Sequence, residues 1–422
     1  THWNRAYHNG EDIISPSFDI DGDPIAFSDA EKRRIQAIWA RVAEDFAPFA
    51  VNVTTEDPGP GALRKTKDTD ESYGVRVVIT SNTFYPYAAG SISYYATFAS
   101  NEDLPCWVFK DALANGKEKY LAEAISHTVG HVAGLHHDAA VGENGYYKGH
   151  GNWAPIMGKA FTRPVSQFSK GEYPDAINDE DDLEILTQEA FPYRKDDHGN
   201  SITKASSLTN SSGKLTGSGI IETSSDQDMF SFTAGTGALS LKISTPPNTR
   251  EGNLIIRTEL FDEVQTLIAS DTSTGLPISL ATSVGDGTYF LRISGAGNGE
   301  GEDGYSAYGS LGQYVIQGMV AQPGQESEGN APTAKASAKP ANGDIPLKVS
   351  FSSIGSVDGD GRITSYLWYL GDGQTSNEPN PTNTFTSEGT FDVFLTVTDN
   401  DGLTDTDTIT ITTTLPDTTV QA

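Results

Sequence analysis

The sequence predicts a multidomain protein in which an α/β unit is followed by two all-β sandwich domains. Its 422 residues exceed what one ordinary core accommodates, because single domains average ~100 to 200 residues. Helix and strand patterns are mixed over about the first 195 residues. Beyond them, short apolar segments alternate with turns rich in glycine and aspartate, and no helical periodicity intervenes, which is typical of β-sandwiches.

The first long helix of the α/β unit is predicted to begin after Ser28. Glu31 completes a capping box with this serine, and apolar residues then recur at helical spacing. A second helix is predicted from about Lys117 to Gly134, since glycine tolerates the left-handed conformation that ends helices. Four β-rich segments predict strands, and the first two follow the first helix in the order expected if that helix crosses over between neighbouring strands: FAVNVTTE, YGVRVVITS, GSISYYATFA and CWVF.

Two polar linkers separate the three units. The first, RKDDHGNSITKASSLTNSSGKLTGSG, follows Tyr193 and is rich in serine, glycine and asparagine, and the second is AQPGQESEGNAPTAKA. Both have loop composition. The resulting boundaries are residues 1–195 for the α/β unit, 202–322 for the first sandwich and 330–415 for the second.

The composition restricts the class of partner and the compartment. With 28 lysines and arginines against 57 aspartates and glutamates, the net charge is −29, which argues against binding nucleic acid or an anionic membrane. No run approaches the ~18 apolar residues of a membrane span. The single cysteine, Cys106, precludes an internal disulfide and is predicted to be buried. We therefore expect a soluble, secreted bacterial chain whose export signal, if any, has been removed.

The segment SHTVGHVAGLHHD, residues 126–138, contains four of the eight histidines. His127 and His131 are four residues apart on the predicted helix and so share one face. Gly134 permits a sharp turn, after which His137 approaches from the other side. Three imidazoles with an open fourth position are the ligand set of a catalytic zinc ion. His136 does not fit this spacing and is predicted to be a turn residue or a donor to a ligand.

The pattern HxxxHxxGxxHD resembles the metzincin clan of zinc metallopeptidases, whose motif is H-E-x-x-H-x-x-G-x-x-H. Asp138 follows the third histidine as in reprolysin-like members, where it braces the fold. Met157, twenty residues after His137, matches the methionine turn and would form a hydrophobic floor beneath the zinc. The resemblance covers about residues 1–195 and implies a twisted mixed sheet with helices. It also implies a cleft in which a peptide substrate pairs with an edge strand, for which GSISYYATF is the candidate.

The departure from the family pattern is Thr128, which stands where these peptidases carry the glutamate that acts as general base. Threonine is a poor proton acceptor, so its presence should cost at least the ~10²- to 10⁴-fold that a positioned acid–base group contributes. Metal binding should survive, because the glutamate is not a ligand. Glu123 shares a helical face with His127 but lies one turn back, where it is expected to orient a ligand or the helix.

Three hypotheses follow for the function. The preferred one is a zinc metalloendopeptidase disarmed by an engineered substitution at Thr128, because the rest of the motif is intact. The alternative is a natural pseudopeptidase that binds proteins or polysaccharides. A third is a structural surface protein whose metal only stabilises the fold. Glutamate at position 128 should restore hydrolysis under the first hypothesis alone.

The two sandwiches resemble accessory domains of secreted bacterial peptidases. Residues 202–322, through GIIETSSDQDMFSFTAG and GDGTYFLRISG, resemble the pre-peptidase C-terminal domain, which is jelly-roll-like. Residues 330–415, through SYLWYLGDGQTS and PNPTNTFTSEGTFDVFLTVTDNDG, resemble the immunoglobulin-like PKD domain, although the acidic residue that usually follows its tryptophan is missing. Such domains attach to proteins or polysaccharides. Several acidic turns are candidate structural calcium sites, with a solvated turn as the alternative at each: Asp19, Asp21 and Asp23; Asp226 and Asp228; Asp358 and Asp360.

Overall fold

The computed structural model describes residues 2–246, 253–273, 277–299, 304–322 and 330–415. Residues 323–329 of the second predicted linker lie outside these residues. Helices are confined to the first part of the described chain: α1 (His2–Tyr7), α2 (Asp29–Asp45), α3 (Glu118–Val132) and α4 (Asp182–Glu189), with short 3₁₀ turns at Pro60–Leu63, Lys110–Ala112 and Ile202–Lys204. None of the helices in the described ranges is long and apolar enough to span a membrane.

Helix α2 begins as the sequence predicted. The Ser28 hydroxyl accepts a hydrogen bond from the Glu31 backbone N–H at 3.3 Å, and Glu31 Oε2 accepts from the Ser28 N–H at 2.8 Å. This capping box satisfies two backbone donors at the helix start. Ile38 and Val42 face inward, where α2 packs against α3 in the main hydrophobic core. Both long helices of the α/β unit were therefore predictable from local pattern.

The first unit contains a small mixed sheet. Its strands are β1 (Val77–Thr80), β2 (Ser91–Ile92) and β3 (Cys106–Phe109), in the order β1-β3-β2. β1 and β3 are parallel, β2 runs antiparallel to β3, and β2 is the edge strand nearest α3. A parallel pair follows, β4 (Trp153–Pro155) with β5 (Val165–Gln167). Cys106 is fully buried, as predicted, and burial raises the pKa of its thiol well above its ordinary value.

The predicted strand FAVNVTTE does not form, so α2 does not cross over between two sheet neighbours. Of this segment only Phe49 makes a β-bridge, with Tyr193. Side chains from elsewhere in the chain donate hydrogen bonds to two of its carbonyls. The Trp39 indole donates to the Val53 carbonyl at 2.8 Å, and the Arg194 guanidinium donates to the Val51 carbonyl at 3.3 Å. The segment is apolar and extended, but its hydrogen bonds are not those of a sheet.

The first sandwich has two five-stranded antiparallel-rich sheets, with orders β13-β10-β15-β8-β7 and β12-β11-β14-β9-β6. The strands are β6 (Ser206–Ser207), β7 (Thr209–Ser211), β8 (Lys214–Ile221), β9 (Gln227–Ala234), β10 (Gly237–Ser244), β11 (Ile256–Phe261), β12 (Leu267–Thr272), β13 (Ile278–Val284), β14 (Gly287–Gly295) and β15 (Gly312–Val320).

Part of the first predicted linker is strand and not loop. Strands β6, β7 and β8 lie in it, and β8 pairs with β15 along its whole length. Leu215 and Ile221 of β8 are fully buried, whereas the small polar residues between them are not. Two inward side chains at the ends of a strand suffice to anchor it when its partner β15 is apolar, and composition alone does not reveal that anchoring.

The second sandwich pairs a three-stranded sheet, β16-β18-β21, with a five-stranded sheet, β17-β23-β22-β19-β20. Its core is separate from the main one and is centred on Trp368, which is fully buried. The strands are β16 (Ser337–Lys339), β17 (Asn342–Asp344), β18 (Leu347–Ser352), β19 (Ile363–Tyr369), β20 (Thr375–Ser376), β21 (Thr382–Phe385), β22 (Gly389–Asp399) and β23 (Thr404–Thr414).

The α/β unit and the first sandwich share one continuous hydrophobic core. Polar contacts cross the same boundary: His150 Nε2 lies 2.8 Å from the Gly304 carbonyl oxygen, so this histidine connects the two units. The Trp153 and Tyr305 rings stack with centroids 5.8 Å apart. The sandwich is therefore packed onto the unit that carries the histidine motif.

Candidate metal centre

Helix α3 places His127 and His131 one turn apart, with their Nε2 atoms 3.1 Å from each other. The helix then ends in the way that the glycine predicted. Gly134 has a φ of +105°, its N–H donates to the His131 carbonyl at 3.1 Å, and the Leu135 N–H donates to the Gly130 carbonyl at 2.9 Å. This pair of bonds is a Schellman motif, which reverses the chain direction.

The reversal brings His137 against the other two rings. Its ring centroid lies 5.2 Å from that of His127 and 4.6 Å from that of His131. One ligating nitrogen from each of the three histidines lies within 4.8 Å of the others. In the described part of the chain this group contains no carboxylate or thiol beside the three imidazoles. Three nitrogen donors suit zinc better than calcium or magnesium, which prefer oxygen.

Two of the rings are held by backbone carbonyls. His127 Nδ1 lies 2.9 Å from the Ile156 oxygen, and His131 Nδ1 lies 2.8 Å from the Leu135 oxygen. Because a carbonyl only accepts, each Nδ1 carries the proton and each Nε2 presents a lone pair towards the centre. Burial, together with the neighbouring imidazoles, lowers the pKa of His127 to about 3 and that of His137 to about 4. The rings are therefore neutral near pH 7, as metal ligation requires.

Met157 forms a floor under the helix that carries the histidines. It is fully buried, and its Sδ occupies the space beside Gly130, where a Cβ atom would approach it to 2.5 Å. The Met157 carbonyl accepts the Asp138 N–H at 2.9 Å. The Asp138 carboxyl is buried and accepts from the Tyr173 hydroxyl at 3.1 Å, and burial raises its pKa to about 7. Asp138 thus connects the loop that carries His137 to the methionine turn, and its carboxyl is not part of the group formed by the three histidines.

Thr128 is buried and turned towards the edge strand. Its hydroxyl donates to Ser91 Oγ at 2.5 Å, and the Ser93 hydroxyl donates to the Thr128 carbonyl at 3.3 Å. A threonine in this position has no group that accepts a proton near pH 7. The Thr128 side chain packs between α3 and β2, and it gives the three histidines no acid–base group at position 128.

Glu123 and His136 lie outside the histidine group. Glu123 is buried, accepts a hydrogen bond from the Ser166 hydroxyl at 2.8 Å and pairs with Lys119 at 3.3 Å. These contacts join α3 to β5 and do not involve the three histidines. His136 Nδ1 lies 2.6 Å from Glu180 Oε1. Its ring also packs on Tyr95, with centroids 4.5 Å apart. Neither residue occupies the place of the missing glutamate.

Sequence reasoning missed Tyr146. Its ring centroid lies 4.3 Å from that of His137 and 5.9 Å from that of His127, and the side chain is half-exposed. Burial raises the pKa of this phenol, so it stays a neutral hydrogen-bond donor. The only signal was a tyrosine pair in a glycine-rich turn shortly after the motif, which does not distinguish a site residue from a surface one.

The candidate calcium residues of the first sandwich form a buried acidic cluster. Asp226 and Asp228 converge with Asp196, which lies in the polar linker and was not predicted. Glu222 is 2% exposed and neither of its carboxylate oxygens has a hydrogen-bond partner, and Asp228 Oδ1 is likewise unpartnered. Burial and mutual repulsion raise the pKa of Asp228 to about 8 and that of Glu222 to about 9. Tyr314 donates to Asp228 Oδ2 at 2.5 Å. A hard divalent cation would satisfy these oxygens.

The other two candidate calcium turns differ from this cluster. Asp19 and Asp21 converge with Glu31, whereas Asp23 does not belong to the group. These carboxylates already serve backbone donors, as in the 2.7 Å bond from the Gly22 N–H to Asp19 Oδ1. In the second sandwich Asp360 accepts from the Asn330 N–H at 2.7 Å. Asp358 and Asp360 are not among the converging groups of acidic or histidine side chains in the described ranges.

Comparison with known proteins identifies the last sandwich. The family model described as "PKD domain" matches residues 329–414, which confirms that part of the predicted organisation. Collagenase ColQ1 of Bacillus cereus strain Q1 is 42% identical over 88 residues, which are 21% of this chain and 9% of that protein. The pre-pro-metalloprotease PrtV of Vibrio cholerae is 54% identical over 50 residues, which are 12% of this chain and 5% of that protein. The chain therefore spans less than a tenth of the length of these relatives.

Two solved structures are similar to parts of the chain. The PKD1 domain of the Vibrio cholerae metalloprotease PrtV is 43% identical and is covered to 98%, over 20% of this chain, with a TM-score of 0.18. The pre-peptidase C-terminal domain of a Bacillus anthracis collagenase is 18% identical and is covered to 99%, over 28% of this chain, with a TM-score of 0.20. The family match shows that residues 329–414 are a PKD domain.

Proposed function

We propose that this chain is a secreted bacterial metalloendopeptidase of the metzincin type whose proton-transferring residue has been replaced by Thr128. The observation that carries the proposal is the convergence of His127, His131 and His137, two of them fixed by backbone carbonyls with Nε2 directed inwards. The similarity of the last domain to parts of bacterial collagenases and of a metalloprotease supports it. Calcium bound at the acidic cluster of the first sandwich would be structural.

The residues around the centre suit peptide hydrolysis with one function missing. Zinc held by three imidazoles supplies a Lewis acid that polarises a carbonyl and lowers the pKa of water at the open position. The edge strand β2 lies beside α3, where an extended peptide would add to the sheet. Tyr146 offers a neutral phenol at the rim of the group. Thr128 neither accepts the proton of the attacking water nor delivers one to the leaving amine, so bound peptide should persist uncleaved.

A natural binding protein is the second candidate, and one observation favours it. The Thr128 hydroxyl is paired with Ser91 at 2.5 Å, so the threonine leaves no unsatisfied polar atom of its own in a buried contact. Under this reading the zinc centre and β2 recognise a peptide, and the two sandwiches attach the protein to a protein or polysaccharide surface. The residue that the encoding gene specifies at position 128 separates a natural threonine from an engineered one.

The decisive experiment is Thr128→Glu, with Thr128→Gln as the matched control. Both side chains have the same length and both lose the contact with Ser91, but only glutamate accepts a proton. We expect casein hydrolysis to rise by about 10²- to 10⁴-fold with glutamate and to stay at the level of the starting protein with glutamine. Bound zinc should remain stoichiometric in all three proteins. A silent, folded and zinc-loaded Thr128→Glu protein would favour the binding function, and absence of zinc from the starting protein would refute both.

A further inference from the structure

A buried residue of the first sandwich, Asn253, is linked by hydrogen bonds to the helix that carries His127. This residue precedes β11 and is 6% exposed. Its side-chain amide donates to Asp45 Oδ1, the last residue of α2, at 2.5 Å. The other oxygen of Asp45 accepts from the Ser126 hydroxyl, and Ser126 directly precedes His127 on α3. A side chain of the sandwich is thus two hydrogen bonds away from the backbone of a metal ligand.

A second path leads from the same residue to the same histidine. The Asn253 carbonyl accepts from the Gln167 side chain at 2.5 Å, and Gln167 is 1% exposed. The Gln167 backbone carbonyl accepts from the Ile156 N–H at 2.8 Å, and the Ile156 carbonyl lies 2.9 Å from His127 Nδ1. This path therefore ends on the carbonyl that fixes the ring of His127.

We propose that Asn253 is a positioning residue for His127, so that the first sandwich is part of the metal centre and not a detachable appendage. The inference rests on the proposed zinc site. One path fixes the place of the helix and the other fixes the orientation of the ring, and both begin at one buried residue, the first at its side chain and the second at its backbone carbonyl. Groups that orient a ligating histidine typically contribute 10- to 100-fold to metal affinity. Asn253 lies one or two hydrogen bonds further from the imidazole than such a group, so we expect its contribution to metal affinity to be near 10-fold.

The interface supplies a matched control for this residue. Gln313 is also an amide of the sandwich that faces the end of α2, where its backbone N–H and side chain lie 3.2 and 3.5 Å from the carboxylate of Glu44. Glu44 directly precedes Asp45, but its described contacts do not continue to Ser126 or Ile156. Gln313→Ala therefore perturbs the same interface without touching either path to His127.

The test measures zinc affinity of the full chain by competition with a chromophoric chelator, and the visible spectrum of the cobalt-substituted protein. We expect Asn253→Ala to weaken zinc binding by about 10-fold and to alter the cobalt bands, while Gln313→Ala stays within about twofold and keeps the spectrum. Gln167→Ala removes the hydrogen bond to the Asn253 carbonyl and so breaks only the second path, and it should also weaken zinc binding. If Asn253→Ala destabilises the fold, the affinity is read from the folded fraction at low temperature. Unchanged affinity and spectrum in folded Asn253→Ala would overturn the proposal while leaving the zinc site standing, whereas a starting protein that binds no zinc would overturn both.

Discussion

Packing between Gly130 and Met157 gives the sharpest quantitative test of how the metal centre is supported. Gly130 lies inside α3, where alanine would ordinarily stabilise a helix by about 1 kcal/mol. Here the added Cβ would sit 2.5 Å from Met157 Sδ, 3.3 Å from its Cε and 3.4 Å from Leu135 Cδ1. Overpacking a core of this kind costs about 1 to 3 kcal/mol. The second effect equals or exceeds the first, so we expect Gly130→Ala to destabilise the protein by up to about 2 kcal/mol.

The methionine cannot simply swing away from the new methyl group. Its side chain is fully buried, and its carbonyl accepts the Asp138 N–H at 2.9 Å, which holds the backbone of the turn in place. Met157→Ala alone should cost about 2 to 5 kcal/mol because it leaves a cavity. In the double variant the alanine at position 130 partly fills that cavity, so the two losses should fall short of additivity by at least about 1 kcal/mol.

The assay is urea unfolding followed by circular dichroism at saturating zinc. The midpoint of interest is that of the transition that shifts with zinc concentration, since this transition reports on the unit holding the metal. Gly61→Ala is the control, because its Cβ would meet no atom within 4 Å, and it should change stability by no more than about 0.5 kcal/mol. If Gly130→Ala stabilises the zinc-dependent transition while Met157 is intact, the inferred contact between helix and methionine turn is wrong.

Two further predictions concern buried carboxylates. Burial raises the pKa of Glu44 from its ordinary 4.5 to about 8, so the folded state holds a proton that the unfolded state releases, and stability should fall as pH rises through that window by up to about 1.4 kcal/mol per pH unit. Glu44→Gln should remove this part of the pH dependence, as seen in melting temperatures between pH 5 and 9, and an unchanged slope would contradict the assignment. Removing calcium with a selective chelator should lower the melting temperature of the starting protein, and millimolar calcium should restore it. Asp228→Asn should abolish this response while Asp21→Asn keeps it, and a response lost equally in both variants would place the ion elsewhere.

The sequence predicted what depends on neighbouring residues along the chain. The start of α2 follows from Ser28 and Glu31, which satisfy each other locally, and the histidine group follows from helical geometry plus one glycine at position 134. The structure places these residues as expected. Local rules are reliable here because the partners are within one or two turns of each other.

The features that the sequence did not reveal depend on partners far apart in the chain. Asp196 joins the acidic cluster from a segment whose composition indicated a plain linker. Val53 looked like part of a strand, but its carbonyl is satisfied by the Trp39 indole. Asn253 is an ordinary turn residue by pattern, and its two paths to the histidine helix span contacts to residues 45 and 167. Composition and periodicity do not encode such contacts, since they arise only when separate units pack together.

The histidine group and the side chain at position 128 are physically separate, so under the proposed function metal binding can persist without proton transfer. The rings of His127 and His131 are oriented by the carbonyls of Ile156 and Leu135, and a backbone oxygen is present whatever side chain the residue carries. The side chain at position 128 instead faces β2, where Thr128 bonds to Ser91. Exchanging that side chain therefore disturbs neither the ligand geometry nor the neutral state of the imidazoles. Under the proposed function, such a protein would keep its zinc ligands while hydrolysis is lost through one position, and peptide affinity would be the property on which selection or design acts.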